Sequence, residues 1–337
     1  MPSMRPSWAT TATVVVAGQA THPEILTPAL VAVRQSGPAI RRHLLVALLL
    51  NLVLLSTLLH LAQLHIDPLA PGNVPFYAAG LVALALRFGL PRTTWRHAAQ
   101  VSYLSEYLGI FTIVTLMGAS ASYPVAALTH GYADVTLQAI DEALGFKWLD
   151  WYRLVADHPV LQALGTIAYR SIYLTPILLL WSAARSGQHG RAYRFIAGFW
   201  VASIITLATF TLMPAVGPFS HLWHEQIHYM PESELWQSGL IPALRAHTVH
   251  IVDLGHLRGI VSAPSFHTAA AVLYIVAGWR CPSLRWPVVV MNAAMLLSTP
   301  VEGTHYLIDM ILGVMVALAA LALIRLYERK VIARYHA

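Results

Sequence analysis

Long apolar runs alternate with short polar connections along this chain, and the runs set its architecture. A membrane crossing needs about 20 mostly apolar residues to match a hydrocarbon core roughly 30 Å thick. Eight runs meet or approach that length, at 43–61, 74–90, 101–118, 161–181, 195–213, 266–279, 286–298 and 306–326. The sixth and seventh are short, so their ends are expected to sit below the membrane surface. Backbone polar groups in lipid must pair within the chain, which makes each run a helix. The expected fold class is all-α, a polytopic integral membrane protein of about eight transmembrane helices.

Two polar connections are long. The first, 119–160, is partly amphipathic (TLQAIDEALGFKWLDWYRLV) and is expected to form one or two helices on the membrane interface. The second, 214–264, opens on the rigid turn PAVGP and closes on PSFHT. Residues 1–42 carry Arg5 and Arg34, lack the apolar core and cleavage site of a secretory signal, and read as an N-terminal tail. The expected organisation is a tail at 1–42, two helices within 43–100, a main membrane domain of six spans at 101–326 and a second tail at 327–337.

Composition agrees with this picture. Charged residues make up 11% of the chain and hydrophobic ones 57%. A soluble domain carries roughly 25% charged residues, so a soluble enzyme, a disordered tail and a fibre are excluded. A single cysteine, Cys281, excludes a disulfide framework and a cysteine-ligated zinc site. The net charge of +6 does not point to nucleic acid, because the basic residues lie between apolar runs and not in one patch. Their distribution instead gives orientation. With both termini cytoplasmic, the outer connections hold only Lys147, Arg153, Arg245 and Arg258, and nearly all other Lys and Arg fall inside. A bacterial cytoplasmic membrane is the expected location.

Two segments carry candidate chemistry. In Ala263-Pro264-Ser265-Phe266-His267-Thr268, Pro-Ser precedes an apolar run as a helix start, which places His267 in the first turn of the sixth span. In Gly303-Thr304-His305-Tyr306-Leu307-Ile308-Asp309, His305 is expected in the first turn of the eighth span, with Asp309 one turn deeper on the same face. Both histidines thus fall at the outer leaflet near helix N-termini, which favour anions. A histidine near a helix end is commonly just a polar residue at head-group level. An intramembrane aspartate is different, being costly enough to imply a task. Hydrogen-bonded to one ring nitrogen, it would fix the tautomer and leave the other nitrogen as a nucleophile. The second histidine would supply the proton for a leaving oxygen.

These two segments resemble the second and third motifs of the type 2 phosphatidic acid phosphatase (PAP2) superfamily, whose usual forms are Pro-Ser-Gly-His and Ser-Arg-x5-His-x3-Asp. The pair His305-Tyr306, the PAVGP turn and DEALGFKW resemble the branch that contains inositol phosphorylceramide synthase. The resemblance covers roughly 101–326 and implies a six-helix core preceded by two extra spans. It also implies a phosphohistidine mechanism without metal or other cofactor. His305 would attack phosphorus, Asp309 would orient it, and His267 would protonate the leaving alkoxide.

The sequence departs from the family pattern in three places. The first motif, Lys-x6-Arg-Pro, is absent, since the one Arg-Pro is Arg5-Pro6. Thr299 stands where the third motif has arginine, although Ser298 matches the adjacent serine. Phe266 replaces the glycine of the second motif. A phosphoryl group still needs positive partners. Arg170, inside the fourth span, and Arg258, shortly before PSFHT, are the candidate substitutes, and Ser265 either binds phosphate or caps its helix. For Arg170 the alternative is a structural pairing.

The resemblance implies a phospholipid or polyprenyl-phosphate substrate, accepted by an alcohol in a head-group transferase or by water in a lipid phosphatase. A transporter or a non-catalytic lipid-binding protein is the alternative of another class. It would place ionisable residues near the middle of the bilayer and often shows internal repeats, which this chain lacks. His224-Glu225-Gln226-Ile227-His228 matches the zinc-protease pattern His-Glu-x-x-His; an amphipathic interfacial helix is the expected reading. Glu106 is expected to pair with Arg96 or to sit at the interface.

Overall fold

The computed structural model describes residues 28–336, with side chains from 37 to 330. The segment 1–27, with Arg5-Pro6, lies outside the described residues. Within them the protein is all-helical, with 74% helix and no strand. The helices are α1 (Pro28–Leu61), α2 (Val74–Gly89), α3 (Ala98–Ala127), α4 (Asp134–Ala143), α5 (Trp148–Ala156), α6 (Pro159–Arg185), α7 (His189–Phe210), α8 (Pro218–Leu222), α9 (Trp236–Arg245), α10 (Phe266–Trp279), α11 (Arg285–Glu302) and α12 (Leu307–His336). α1 therefore begins inside the predicted N-terminal tail, and α12 continues through the predicted C-terminal one.

Among the described residues, six segments are long and apolar enough to cross a membrane: Gly37–Leu61, Pro71–Arg92, Ala98–Ala127, Pro159–Arg185, His189–Phe210 and Leu307–Lys330. The protein is membrane-embedded. Its outward faces agree, since Leu50 on α1 and Leu81 on α2 are about two-thirds exposed, a disposition suited to lipid. α10 and α11 are the runs that the sequence shows as short. With 14 residues, α10 is about 21 Å long, less than a hydrocarbon core.

α10 occupies the middle of the bundle, against α6, α7, α11 and α12. Ala269, Ala270 and Ala271 are fully buried there, and their small side chains let the surrounding helices approach. α1 and α2 lie at the periphery. α2 buries no residue of its own and is held to α3 by polar contacts. Glu106 of α3 is their hub, accepting from Arg41 of α1, Arg87 of α2 and the hydroxyl of Tyr193 on α7. Ser102 adds a hydrogen bond to the Arg87 carbonyl at 2.9 Å. The expected Glu106–Arg96 pair does not form, because Arg96 turns to His97.

At the opposite end of the bundle, α4, α5, α8 and α9 close over the helix ends. Segment 119–160 does not simply lie on the interface. α3 continues to Ala127, and α4 and α5 are wedged into the protein through buried Asp134, Leu137, Asp141, Trp148 and Tyr152. Trp148, Tyr152 and Phe219 stack on one another, and the Trp148 indole donates to the Pro300 carbonyl at 2.8 Å. This aromatic layer fixes the end of α11, from which the His305 turn departs.

Candidate active site

The turn joining α11 to α12 determines where His305 sits. The His305 N–H donates to the Pro300 carbonyl and the Thr304 N–H to the Val301 carbonyl, both at 3.1 Å. These two bonds form a Schellman motif. Its left-handed position falls on Thr304, at φ +48°, where a glycine is usual. A strained β-branched residue thus immediately precedes His305. Gly303 is required by packing, since an added Cβ would lie 2.6 Å from His305 Cδ2 and 3.1 Å from Tyr169 Cε2. Gly217 of the PAVGP turn, at φ +89°, leaves room for the Thr304 carbonyl, which a Cβ would meet at 2.7 Å.

His305 is therefore not in the first turn of a helix, as the spacing implied. It sits two residues before α12 begins at Leu307. Nor does α12 offer free N–H groups to an anion. Asp141 of α4 accepts from the N–H groups of Leu307 and Ile308 at 2.7 and 2.9 Å. Asp309 reaches back to the Tyr306 N–H at 3.1 Å, as the acidic member of a capping box does. Burial pushes the Asp141 carboxyl above its ordinary pKa, opposed by the two N–H groups it accepts from.

Asp309 nevertheless meets His305. Its Oδ2 lies 3.5 Å from His305 Nδ1, with both side chains buried. That separation suits an ion pair, but the alignment is not that of a hydrogen bond, and His305 Nδ1 and Asp309 Oδ1 have no hydrogen-bond partner. Asp309 Oδ2 also accepts from the Ser262 hydroxyl at 3.1 Å, and the Asp309 carbonyl accepts from the Ser265 N–H at 2.9 Å. Both start-of-helix motifs are thereby joined through Asp309.

His267 is the second residue of α10. Its Nδ1 lies 3.0 Å from the Tyr169 hydroxyl, and the two rings stack with centroids 4.0 Å apart. Tyr169, which stacks on His267, also lies with His305 against Gly303, so the two histidines converge on this turn. Ser265 is the N-cap of α10, with its buried hydroxyl accepting from Thr268 N–H at 3.3 Å, so capping is the role the structure gives it. The N–H groups of Phe266 and His267 have no hydrogen-bond partner among the described residues. α10 thus supplies the anion-favouring helix end that α12 does not.

Neither proposed cation is free beside the histidines. The Arg170 guanidinium makes a bidentate pair with Glu232, at 2.8 and 3.0 Å. Arg258 lies over the Trp236 ring, 3.7 Å from its centroid. Arg170 does stay near the site, because the segment that holds Glu232 is fastened to the His305 turn. The Ser233 N–H donates to the Glu302 carbonyl at 2.9 Å, the Ser233 hydroxyl to Thr304 Oγ1 at 3.3 Å, and the Glu232 N–H to the Glu302 carboxylate at 3.1 Å. Glu302 also accepts from the Tyr229 hydroxyl at 2.7 Å. Burial raises the Tyr229 pKa, which keeps this phenol protonated and donating.

Residues 224–228 form no helix, so His224 and His228 are not one turn apart on a common face, as the zinc-protease pattern needs. Among the described residues, no group of three or more His, Cys, Asp or Glu side chains is arranged to hold a metal ion.

Residues 135–323 match the family model of the PAP2 superfamily. The chain belongs to the PAP2 superfamily. No curated protein and no solved structure matches it. The matched region takes in both histidine motifs and the α4–α5 segment, and leaves out α1, α2 and α3, so it begins later than the expected boundary near residue 101. Membership in the PAP2 superfamily carries a phosphatase or phosphotransferase type of function on a lipid phosphate in the membrane.

Several residues that build this PAP2 site went unread in the sequence: Asp134, Asp141, Tyr169, Ser262 and Glu302. Asp134 accepts from the N–H groups of Val216 and Gly217 and from the Tyr306 hydroxyl, so it ties the PAVGP turn to the His305 turn. One signal was available. Asp134 and Asp141 are seven residues apart, hence on one face of α4, beside apolar Leu137.

Proposed function

We propose that this protein is a membrane phosphotransferase that takes the phosphoryl-bearing group of a lipid onto His305. The observation that carries this reading is the convergence of the two motif histidines on the Gly303 turn, with Tyr169 between them and Asp309 buried against His305. A small rotation of the imidazole lets Nδ1–H donate to Asp309 Oδ1, the unpartnered oxygen, and leaves Nε2 as the nucleophile. In the first half-reaction an Nε2–P bond forms and the P–O bond to the leaving alkoxide breaks. His267, which takes up a proton when the anionic substrate phosphate comes to lie beside it, gives that oxygen its proton. In the second, the acceptor hydroxyl returns a proton to His267, its oxygen bonds to phosphorus, and the N–P bond breaks.

The free N–H groups at the start of α10 are placed to stabilise charge on the phosphoryl oxygens. Arg170 joins them when the substrate phosphate displaces Glu232 from its guanidinium. Arg258, occupied by Trp236, is the weaker candidate of the two. The finer reading is a head-group transferase with an alcohol acceptor, of the kind that inositol phosphorylceramide synthase represents. A lipid phosphate phosphatase shares the first half-reaction and differs in using water. The arrangement favours eight crossings, with α10 and α11 as short ones, both termini cytoplasmic and the site facing outward. A membrane transporter is the less favoured reading, because the paired ionisable residues gather at one end of the bundle and not at its middle.

The test is turnover of a phosphate-labelled phospholipid and polyprenyl-phosphate panel in lipid nanodiscs, with and without EDTA, for wild type and His305→Ala. Label released as phosphate identifies the phosphatase, and label on a new lipid identifies the transferase. Turnover that persists in His305→Ala overturns the nucleophile assignment.

A further inference from the structure

The C-terminal end of α10 offers a second site, unrelated to the chemistry at its start. α10 stops at Trp279, while α6 continues to Arg185 and α12 continues past Lys330. The early stop leaves an open cleft of about 110 Å³ between α6, α7, α10 and α12. The arginine rim of the cleft, at Arg280, lies about 20 Å along α10 from His267.

Its chemistry is of two kinds. The deep wall is apolar and includes Phe195, Leu273 and Leu321. The rim carries Arg191, Arg194, Arg280 and Arg325 against a single carboxylate, Glu328. Arg194 pairs with Glu328 at 3.1 Å, and Arg191 contacts the Cys281 sulfur at 3.3 Å. Arg280 and Arg325 have no protein partner among the described residues. Unpaired arginines above an apolar, membrane-depth wall match one ligand chemistry, a phosphate group carrying acyl chains.

We propose that this cleft binds an anionic phospholipid of the leaflet opposite the candidate active site. Its phosphate sits between Arg280 and Arg325, with Arg191 alongside, and its acyl chains follow the apolar wall. The lipid bridges the far ends of α10 and α12, the helices whose near ends carry His267 and the His305–Asp309 pair. It acts as a clamp on the bundle. The proposal does not depend on the reaction assigned to His305.

The test is native mass spectrometry of the full chain released from phosphatidylcholine nanodiscs that contain a minor share of phosphatidylglycerol. Wild type is expected to retain phosphatidylglycerol in preference to phosphatidylcholine. Arg280→Gln with Arg325→Gln is expected to lower that retention roughly tenfold or more, since each basic residue near a membrane surface contributes about 1 kcal/mol. Arg329→Gln, a cation on α12 outside the cleft, is expected to leave it unchanged. Gly198→Leu keeps every charge and fills the cleft, because an added Cβ at Gly198 meets nothing within 4 Å; it is expected to abolish retention. Melting in pure phosphatidylcholine discs shows whether each variant is folded. Equal retention of the two lipids by wild type overturns the proposal, as does undiminished retention in the folded double or Gly198 variant. Displacement by millimolar glycerol phosphate overturns the lipid assignment in favour of a soluble phosphate ligand.

Discussion

At the scale of single residues, the proposed mechanism separates groups that would touch the phosphoryl group from groups that hold them. Asp309 belongs to the second kind, because its oxygens serve His305, Ser262 and the Tyr306 N–H. Asp309→Asn keeps the shape and removes the charge that orients and stabilises the imidazole. Turnover is expected to fall roughly 10²–10⁴-fold with little change in KM, as steady-state kinetics in nanodiscs would show. A KM effect alone would remove Asp309 from this role. Thr304 gives a second prediction. Its left-handed conformation costs roughly 1–2 kcal/mol in a residue with a Cβ. Thr304→Gly is expected to leave the melting temperature unchanged or raise it, while activity falls because the turn before His305 loosens. A clear drop in melting temperature would show that the conformation carries no strain. The approach of Asp309 to His305 was legible because the motif is local, although His305 precedes α12 and is not in its first turn. Asp141 and Tyr169 were not legible, because a cap supplied from α4 and a ring stacked from α6 leave no mark near the residues they serve.

At the scale of elements, the site depends on short helices fastened across long sequence distances. Asp141 supplies the N-terminal cap of α12 and Asp134 the N–H partners of the PAVGP turn. Asp141→Ala is expected to destabilise the fold by about 1–2 kcal/mol, read as a lower melting temperature, since the first two N–H groups of α12 lose their acceptor. Gly217→Ala places a Cβ at φ +89° and 2.7 Å from the Thr304 carbonyl. Its cost is expected to exceed about 1 kcal/mol and to lower both folded yield and turnover. Normal yield and activity would mean that the turn has freedom the structure does not show. The sequence reading saw both PAVGP and the α4 segment but laid the latter on the interface. Amphipathic periodicity alone does not distinguish a face turned to lipid from one buried by a protein neighbour.

At the scale of the whole molecule, apolar run length carried most of the architecture, and six helices are long enough to cross. The apolar pattern placed both α10 and α11 in the chain, although α11 runs to 18 residues and is longer than expected. The central position of α10 was not legible, because burial by other helices and burial by lipid select the same residues. Topology is tested with single cysteines in a Cys281→Ser background. Ser186→Cys and Ser283→Cys are expected to label from one face of the membrane, and His224→Cys from the other; labelling of all three from one face would contradict eight crossings. The central claim is the covalent step at His305. The direct measurement is rapid quench of the reconstituted protein with a phosphate-labelled lipid, followed by peptide mapping under conditions that preserve phosphohistidine. The account predicts an acid-labile adduct on the peptide containing His305, formed at a rate at least equal to turnover and lost in His305→Ala. Label on another residue, or full turnover with no adduct in that variant, would contradict it.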